Sequence, residues 1–243
     1  MVRRYAPALS LTVSLMAAPI PPTESAHAPG GQDEFTRARL AMVAEQIANR
    51  GVRDTRVLAA MREVPRHLFV AERDRDNAYI DAPLGLEHGQ TISQPYIVAL
   101  MTELARPRQT DRALEIGTGS GYQAAVLSKL VDHVFSVEII AALAGTARVR
   151  LNGLGFKNVT VREGDGYLGW PSEAPFDIII VTAASDQIPP ALIAQLRPGG
   201  RLVIPVGPVG AVQDLVLVEK DVAGGVTKRT IIPVRFVPLV KRQ

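Results

Sequence analysis

The spacing of apolar positions changes character once along the chain. From Thr36 to Arg50 it is helical, with Leu40, Val43, Ala44 and Ile47 on one face and Gly51 placed to end the helix. Asp54 is placed to cap a second helix whose Val57, Leu58 and Met61 face inward. That helix stops before Pro65, because the residue ahead of a proline avoids the α region. Residues 71–90 carry mixed charge and turn formers and read as loop. Pro95 suits the first turn of a third helix that buries Ile97, Leu100, Met101 and Leu104. From Ala113 onward the pattern becomes short apolar runs alternating with helical segments. The runs begin at Ala113, at His133 (to Glu138), at Val159 (to Val161), at Phe176 (to Thr182) and at Leu202 (to Val206). Such alternation predicts a mostly parallel sheet with helices on both faces. Arg197-Pro-Gly-Gly200 reads as the turn into the last of these. Asp214–Glu219 and Thr230–Pro238 read as two more strands joined around Ala223–Gly225. Hairpin partners cannot both run parallel to the rest, so one edge of the sheet should be mixed.

Composition narrows the chemistry. A chain of 243 residues, 47% hydrophobic and 21% charged, is long enough for one sizeable globular core. The net charge of +3 is scattered, with no Lys/Arg run that asks for nucleic acid. The absence of cysteine removes disulfides, thiolate metal sites and cysteine nucleophiles. Four histidines, at 27, 67, 88 and 133, share no ligand spacing, so no metal is expected. At the N-terminus, Arg3 and Arg4 precede an uncharged stretch from Tyr5 to Thr23, and Ala26–Ala28 offers an A-x-A processing site. The alternative for this segment is a disordered extension; its prolines and its length argue against a membrane span. Residues 1–33 are accordingly set apart as an extension. A single domain follows over 34–243, helical in 34–105 and sheet-based in 106–243.

The first strand opens into Gly117, Gly119 and Gly121 and then a helix, a cradle suited to a nucleotide-like cofactor. About twenty residues after the loop begins, the second strand ends in Glu138, where a carboxylate accepts hydrogen bonds from a ribose diol. The third strand leads into Gly164-Asp165-Gly166, where an acceptor between glycines can take an adenine amino group. The fourth ends in the small residues Ala183 and Ala184. Tyr122 stands where a dinucleotide fingerprint would place its third glycine. The set suits S-adenosylmethionine better than a phosphate-rich dinucleotide, and predicts an α/β fold of the class I methyltransferase type, a doubly wound, mostly parallel sheet preceded by N-terminal helices.

Six segments carry a closer resemblance: the Gly-rich loop, Thr91-Ile-Ser-Gln-Pro95, Gly164–Gly166, Val181–Ala184, Arg197–Gly200 and Phe236-Val-Pro-Leu239. Together with Gly51–Val70 they make residues 36–240 resemble the protein-L-isoaspartate O-methyltransferases; the first thirty-odd residues lie outside that pattern. The resemblance implies methyl transfer from S-adenosylmethionine to the free carboxylate of isoaspartyl residues in damaged proteins and peptides. The ester then closes to a succinimide, which partly hydrolyses to normal aspartate. It also implies that Ser93 sits at the reaction centre, contacting the substrate carboxylate or steering the methyl group, with Thr91 and Ile92 in the same pocket. Gly117, Thr118, Gly119 and Gly121 would pass close to the cofactor, and Glu115 would help hold its methionine amino end. Glu138 would take the ribose hydroxyls and Asp165 the adenine, with Gly166 leaving room. The segment Val234–Val240 resembles a strand near the family's active site and would help bind peptide.

The chemistry agrees independently. A carboxylate acceptor is ionised at neutral pH and needs no strong base, and the chain shows no Ser-His-Asp or HExxH arrangement. After the fourth strand, Thr182-Ala-Ala-Ser185 lacks the Asp/Asn-Pro-Pro-aromatic segment with which an amino-methylating enzyme holds a flipped base. A small-molecule acid as acceptor, or a non-catalytic cofactor-binding module, remains open at this point. The expected protein is monomeric, without nucleic-acid or membrane partners. It is placed in the cytoplasm, where S-adenosylmethionine is supplied, with export to the periplasm as the alternative reading of the N-terminus.

Overall fold

A computed structural model describes residues 29–242. The signal-like stretch and its A-x-A site lie outside the described residues.

Helix α1 (Pro29–Ala41) starts earlier than the apolar spacing predicts and continues as a widened π-type segment, Met42–Ile47, before a 3-10 turn closes at Gly51. The widening changes the face that is buried. Met42 and Ile47, five apart as i→i+5 bonding requires, are buried with Val43, whereas Leu40 and Ala44 face solvent. Helix α2 (Thr55–Glu63) follows the expectation: Asp54 accepts the Arg56 N–H, and Val57, Leu58 and Met61 are buried. Helix α3 (Pro95–Ala105) starts on Pro95, as expected, but Leu100 and Leu104 are only half-buried. Val98, Ala99 and Thr102 are buried instead, because α3 is packed between the first helices and the sheet.

Residues 71–90 are mostly turns. They hold one small ladder that periodicity does not reveal, β1 (Leu84–Gly85) antiparallel to β2 (Thr91–Ile92). The main sheet contains β3 (Arg112–Ile116), β4 (His133–Glu138), β5 (Val159–Glu163), β6 (Phe176–Val181), β7 (Leu196–Val206), β8 (Gln213–Lys220) and β9 (Val226–Val234). Their order is β5-β4-β3-β6-β7-β8-β9. The first five are mutually parallel, and β7-β8-β9 is antiparallel, the mixed edge anticipated from the hairpin.

Two boundaries differ from the sequence pattern. Arg197–Gly200 is an outward bulge within β7, since Leu196 already pairs with Phe176 before Arg201 pairs with Ile178. Strand β9 ends at Val234, and the chain beyond it crosses the carboxyl end of the sheet. There Ala184 donates to Val237 O at 2.8 Å and Leu239 donates to Ala184 O at 2.7 Å. Side-chain alternation along the strands divides the core in two. Ala113, Val134, Ile178 and Val203 pack toward the N-terminal helices, while Leu114, Phe135, Ile179 and Leu202 pack on the other face. Strand order reverses direction at β3, between β4 and β6. In an open parallel sheet that reversal leaves a crevice at the carboxyl ends of the strands.

Candidate active site

The crevice is bounded by the ends of β3, β4 and β6. Gly117 donates to Val137 O at 2.8 Å, and Thr182 donates to Ile116 O at 2.9 Å, so the loop after β3 is stitched to both neighbours. Gly117 has φ 94°, and a Cβ there would lie 2.5 Å from Thr182 Oγ1, which itself donates to Gly117 O at 2.6 Å. Only glycine fits. The loop then enters helix α4 (Tyr122–Ser128), every residue of which is buried.

Glu138 is 5% exposed at the end of β4, yet both carboxylate oxygens are engaged. Oε2 accepts the Gly119 N–H at 2.8 Å and Oε1 accepts the Ile140 N–H at 3.0 Å. Each oxygen keeps lone-pair capacity for another donor, and Glu138 lines the cavity. Glu115 is placed differently. It is fully buried behind the loop, where Ser136 donates to its Oε2 and Ser136 Oγ lies 2.5 Å from Thr118 Oγ1. Its Oε1 has no hydrogen-bond partner among the described residues. Burial pushes its carboxyl up to about 8, opposed by the Ser136 hydrogen bond and reinforced by the charge of Glu138. Glu115 therefore braces the loop from beneath and does not line the cavity wall.

Gly166 is a wall residue, and a Cβ there would come within 2.4 Å of Ile116 Cγ2. The neighbouring Asp165 caps the turn that follows, accepting the Tyr167 N–H at 2.8 Å on Oδ1 and the Arg242 N–H at 3.2 Å on Oδ2. Opposite the sheet, the tail residues Val237–Val240 close the same cavity. Sequence periodicity carries no sign of this cover, because the tail belongs to no regular element. Gln90, Ile139 and Ile140 also reach the wall without any advance signal.

Thr91 and Ser93 form the other side. The β1–β2 ladder fixes Thr91, and Gln94 just beyond is tied to Asp81 by bonds of 3.0 Å to its carbonyl and 2.8 Å to its carboxylate. The Ser93 hydroxyl makes no hydrogen bond to another described residue, and the N-cap of α3 is Gln94, so Ser93 is not a capping serine. Thr91 borders both the cavity beneath the tail and an adjoining groove. Ser93 borders that groove and a small recess beside Gly117, Thr118 and Ile92. Of the residues singled out from sequence, Thr91, Ile92, Ser93, Gly117, Thr118, Glu138 and Gly166 thus converge on one connected space. Glu115, Gly119, Gly121 and Asp165 lie immediately behind it.

Among the described residues, no lysine, arginine or histidine lines the cavity or the recess. A cofactor carrying a sulfonium and an ammonium suits a wall whose one charged side chain is the Glu138 carboxylate. No cluster of metal-ligating side chains occurs among the described residues. His67 stacks on Phe35 with ring centroids 4.3 Å apart, and burial with the charges of Arg39 and Arg75 holds it down at about 4.

A doubly wound sheet with a glycine loop after the first parallel strand and a carboxylate closing the second is the frame of a class I, S-adenosylmethionine-dependent methyltransferase, and known proteins of that class match it. A profile of the protein-L-isoaspartate(D-aspartate) O-methyltransferases matches residues 37–243, and the chain belongs to that family. It is 54% identical over 208 residues to a protein-L-isoaspartate O-methyltransferase of Opitutus terrae, covering 86% of this chain and 89% of that one. A solved protein-L-isoaspartate O-methyltransferase superposes with a TM-score of 0.74 at 30% identity, over 84% of this chain and 65% of that chain. A crystal structure from Plasmodium falciparum, assigned to the same activity and holding S-adenosyl-L-homocysteine, superposes with a TM-score of 0.71 at 25% identity. That match covers 84% of this chain and 99% of the other.

Proposed function

We propose that the chain methylates the free carboxylate of L-isoaspartyl residues in damaged proteins and peptides, with Ser93 at the point of transfer. When bound, S-adenosylmethionine supplies a methyl group already activated on sulfur. The observation that carries the assignment of Ser93 is that its hydroxyl, without a hydrogen bond to another described residue, borders both the open groove and the recess beside Gly117 and Thr118, while Thr91 next to it also borders the cavity beneath the tail. An acceptor lying in the groove would meet the glycine loop at Ser93.

The residues divide the work by position. Gly117 and Thr118 admit the methionine end of the cofactor, with Gly119 and Gly121 shaping the loop behind them. Glu138 would accept hydrogen bonds from the ribose hydroxyls. Gly166 would leave room for the adenine, with the Asp165 turn beside it to take its amino group. Glu115 serves through the loop it braces, by way of Ser136 and Thr118. Ser93 donates its free hydroxyl to one oxygen of the acceptor carboxylate and turns the other toward the methyl carbon. The cofactor would supply its methyl group to that oxygen with its own sulfur as the leaving group, so no side chain would have to take or give a proton. Positioning is therefore the whole of the protein's task, and alignment of this kind is worth up to roughly 7–11 kcal/mol. On this division the sheet part, 106–243, supplies most of the cofactor side, and the acceptor groove is shared between the helical part, 34–105, and the segment Val234–Phe236.

Two synthetic peptides identical except for one linkage test the reading. With labelled S-adenosylmethionine, base-labile methyl ester should form on the isoaspartyl peptide and not on its normal aspartyl twin. Equal labelling, or none on either, would discard it.

Among the described residues no helix is long and apolar enough to cross a membrane. We place the enzyme in the cytoplasm on the supply of its cofactor. A monomer that does not bind nucleic acid is supported by the edge strand β9, where Lys228, Arg229 and Pro233 discourage pairing with a second sheet, and by the scattered charge.

A further inference from the structure

The open groove beside Ser93 contains one charged side chain, and that charge is uncompensated. Its walls come from the start of α3 (Ser93, Gln94), from Val212, and from the residues around the end of β9, Val234, Arg235 and Phe236. Arg235 is exposed and has no ion-pair or hydrogen-bond partner among the described residues. Behind this wall, the Asp81 carboxylate is already taken by Arg50 at 2.5 Å and by Gln94.

The arginine is not on a loose end. Val234 is buried and pairs with Gln213, and the Phe236 N–H donates to Gln213 Oε1 at 3.0 Å. Gln213 is 1% exposed, and its Nε2 donates to Pro208 O at 2.9 Å and Ala211 O at 2.8 Å. One buried amide thus fixes both neighbours of Arg235 and the loop that carries Val212. Arg235 is thereby held among the residues that line the groove, together with Ser93.

We propose that Arg235 selects among isoaspartyl substrates, favouring those with a second carboxylate, an Asp or Glu side chain within two residues of the isoaspartyl position. The inference rests on the isoaspartyl reading of the site. An extended peptide advances about 3.3–3.6 Å per residue, so one or two residues carry a side chain from the transfer point along the groove. A planar guanidinium suits a carboxylate partner there, and no acidic wall residue competes. The acceptor carboxylate itself remains with Ser93, so Arg235 governs affinity for the peptide and not the transfer step.

The test uses the full chain and a set of isoaspartyl peptides carrying Glu or Gln at each of the two positions on either side. The wild type should show about a 3- to 5-fold lower KM for the best Glu peptide than for its Gln counterpart, the scale of a partly exposed ion pair, with similar kcat. The preference should shrink in 0.5 M salt. It should vanish in Arg235→Gln, turn into a preference for Gln in Arg235→Glu, and persist in Arg229→Gln, on β9 and outside the groove. Absence of a preference in the wild type, or its survival in Arg235→Gln, would overturn the inference while leaving the isoaspartyl assignment standing. Failure of every isoaspartyl peptide to accept a methyl group would overturn both.

Discussion

Ser93 and Glu115 are both single polar residues beside the same loop, and their surroundings give them opposite tasks. Ser93 holds an uncommitted hydroxyl at the junction of two spaces. Ser93→Ala should leave melting unchanged and reduce kcat by about 10- to 100-fold, since misplacement of an acceptor by a fraction of an ångström is costly. Single-turnover rates with saturating peptide measure this directly, and an unchanged rate would remove Ser93 from the centre. Glu115 is sealed off from water, and burial raises its carboxyl from 4.5 to about 8. The folded chain therefore keeps a proton that the unfolded chain loses, and stability falls as pH rises across about 4.5 to 8. Above that window the dependence levels off. Glu115→Gln abolishes this contribution, so the variant should gain on the wild type between pH 5 and pH 8 in denaturant midpoints taken without cofactor.

Elements place these residues by different means. The loop after β3 depends on close approach, and Gly117→Ala would combine a strained φ of 94° with a Cβ 2.5 Å from Thr182 Oγ1. A loss of about 1–3 kcal/mol is expected, together with weaker S-adenosylhomocysteine binding by calorimetry. Glycines at a strand-to-helix turn were legible because the backbone requirement is local. The same holds for Asp54 capping α2 and Pro95 starting α3, whose signals lie within one helical turn. The buried face of the first helical stretch was legible in part. Val43 and Ile47 are buried as the spacing predicts, but a π-type turn brings in Met42 and leaves Leu40 and Ala44 in solvent, a shift made where the segment packs against α2 and α3. The ladder of β1 and β2 was hidden, because two residues per strand are too few for a period.

At the scale of the molecule, the cofactor cavity closes only when the tail crosses the sheet. Val237–Val240 reach it through bonds to Ala184, the Tyr167 hydroxyl donates to Leu239 O at 3.3 Å, and Arg242 pairs with Glu163 at 2.7 Å. Ligand binding should stabilise this enclosure as a unit. At a hundredfold excess over Kd, S-adenosylhomocysteine should add about 2.7 kcal/mol. Amide exchange should slow in Val237–Val240 as well as in the loop after β3. Protection confined to the loop would show that the tail takes no part.

The order of helices and strands, the glycine loop, the carboxylate at the end of β4 and the serine ahead of α3 follow from the sequence alone. Each rests on spacing or backbone demands among residues close together in the chain. The tertiary structure decided which of them face the cavity. It turned Glu115 away from the wall, brought the tail over the sheet, and set Arg235 in the groove beside Ser93, more than a hundred residues away. Contacts of that span arise only when separate elements pack, and no local pattern records them.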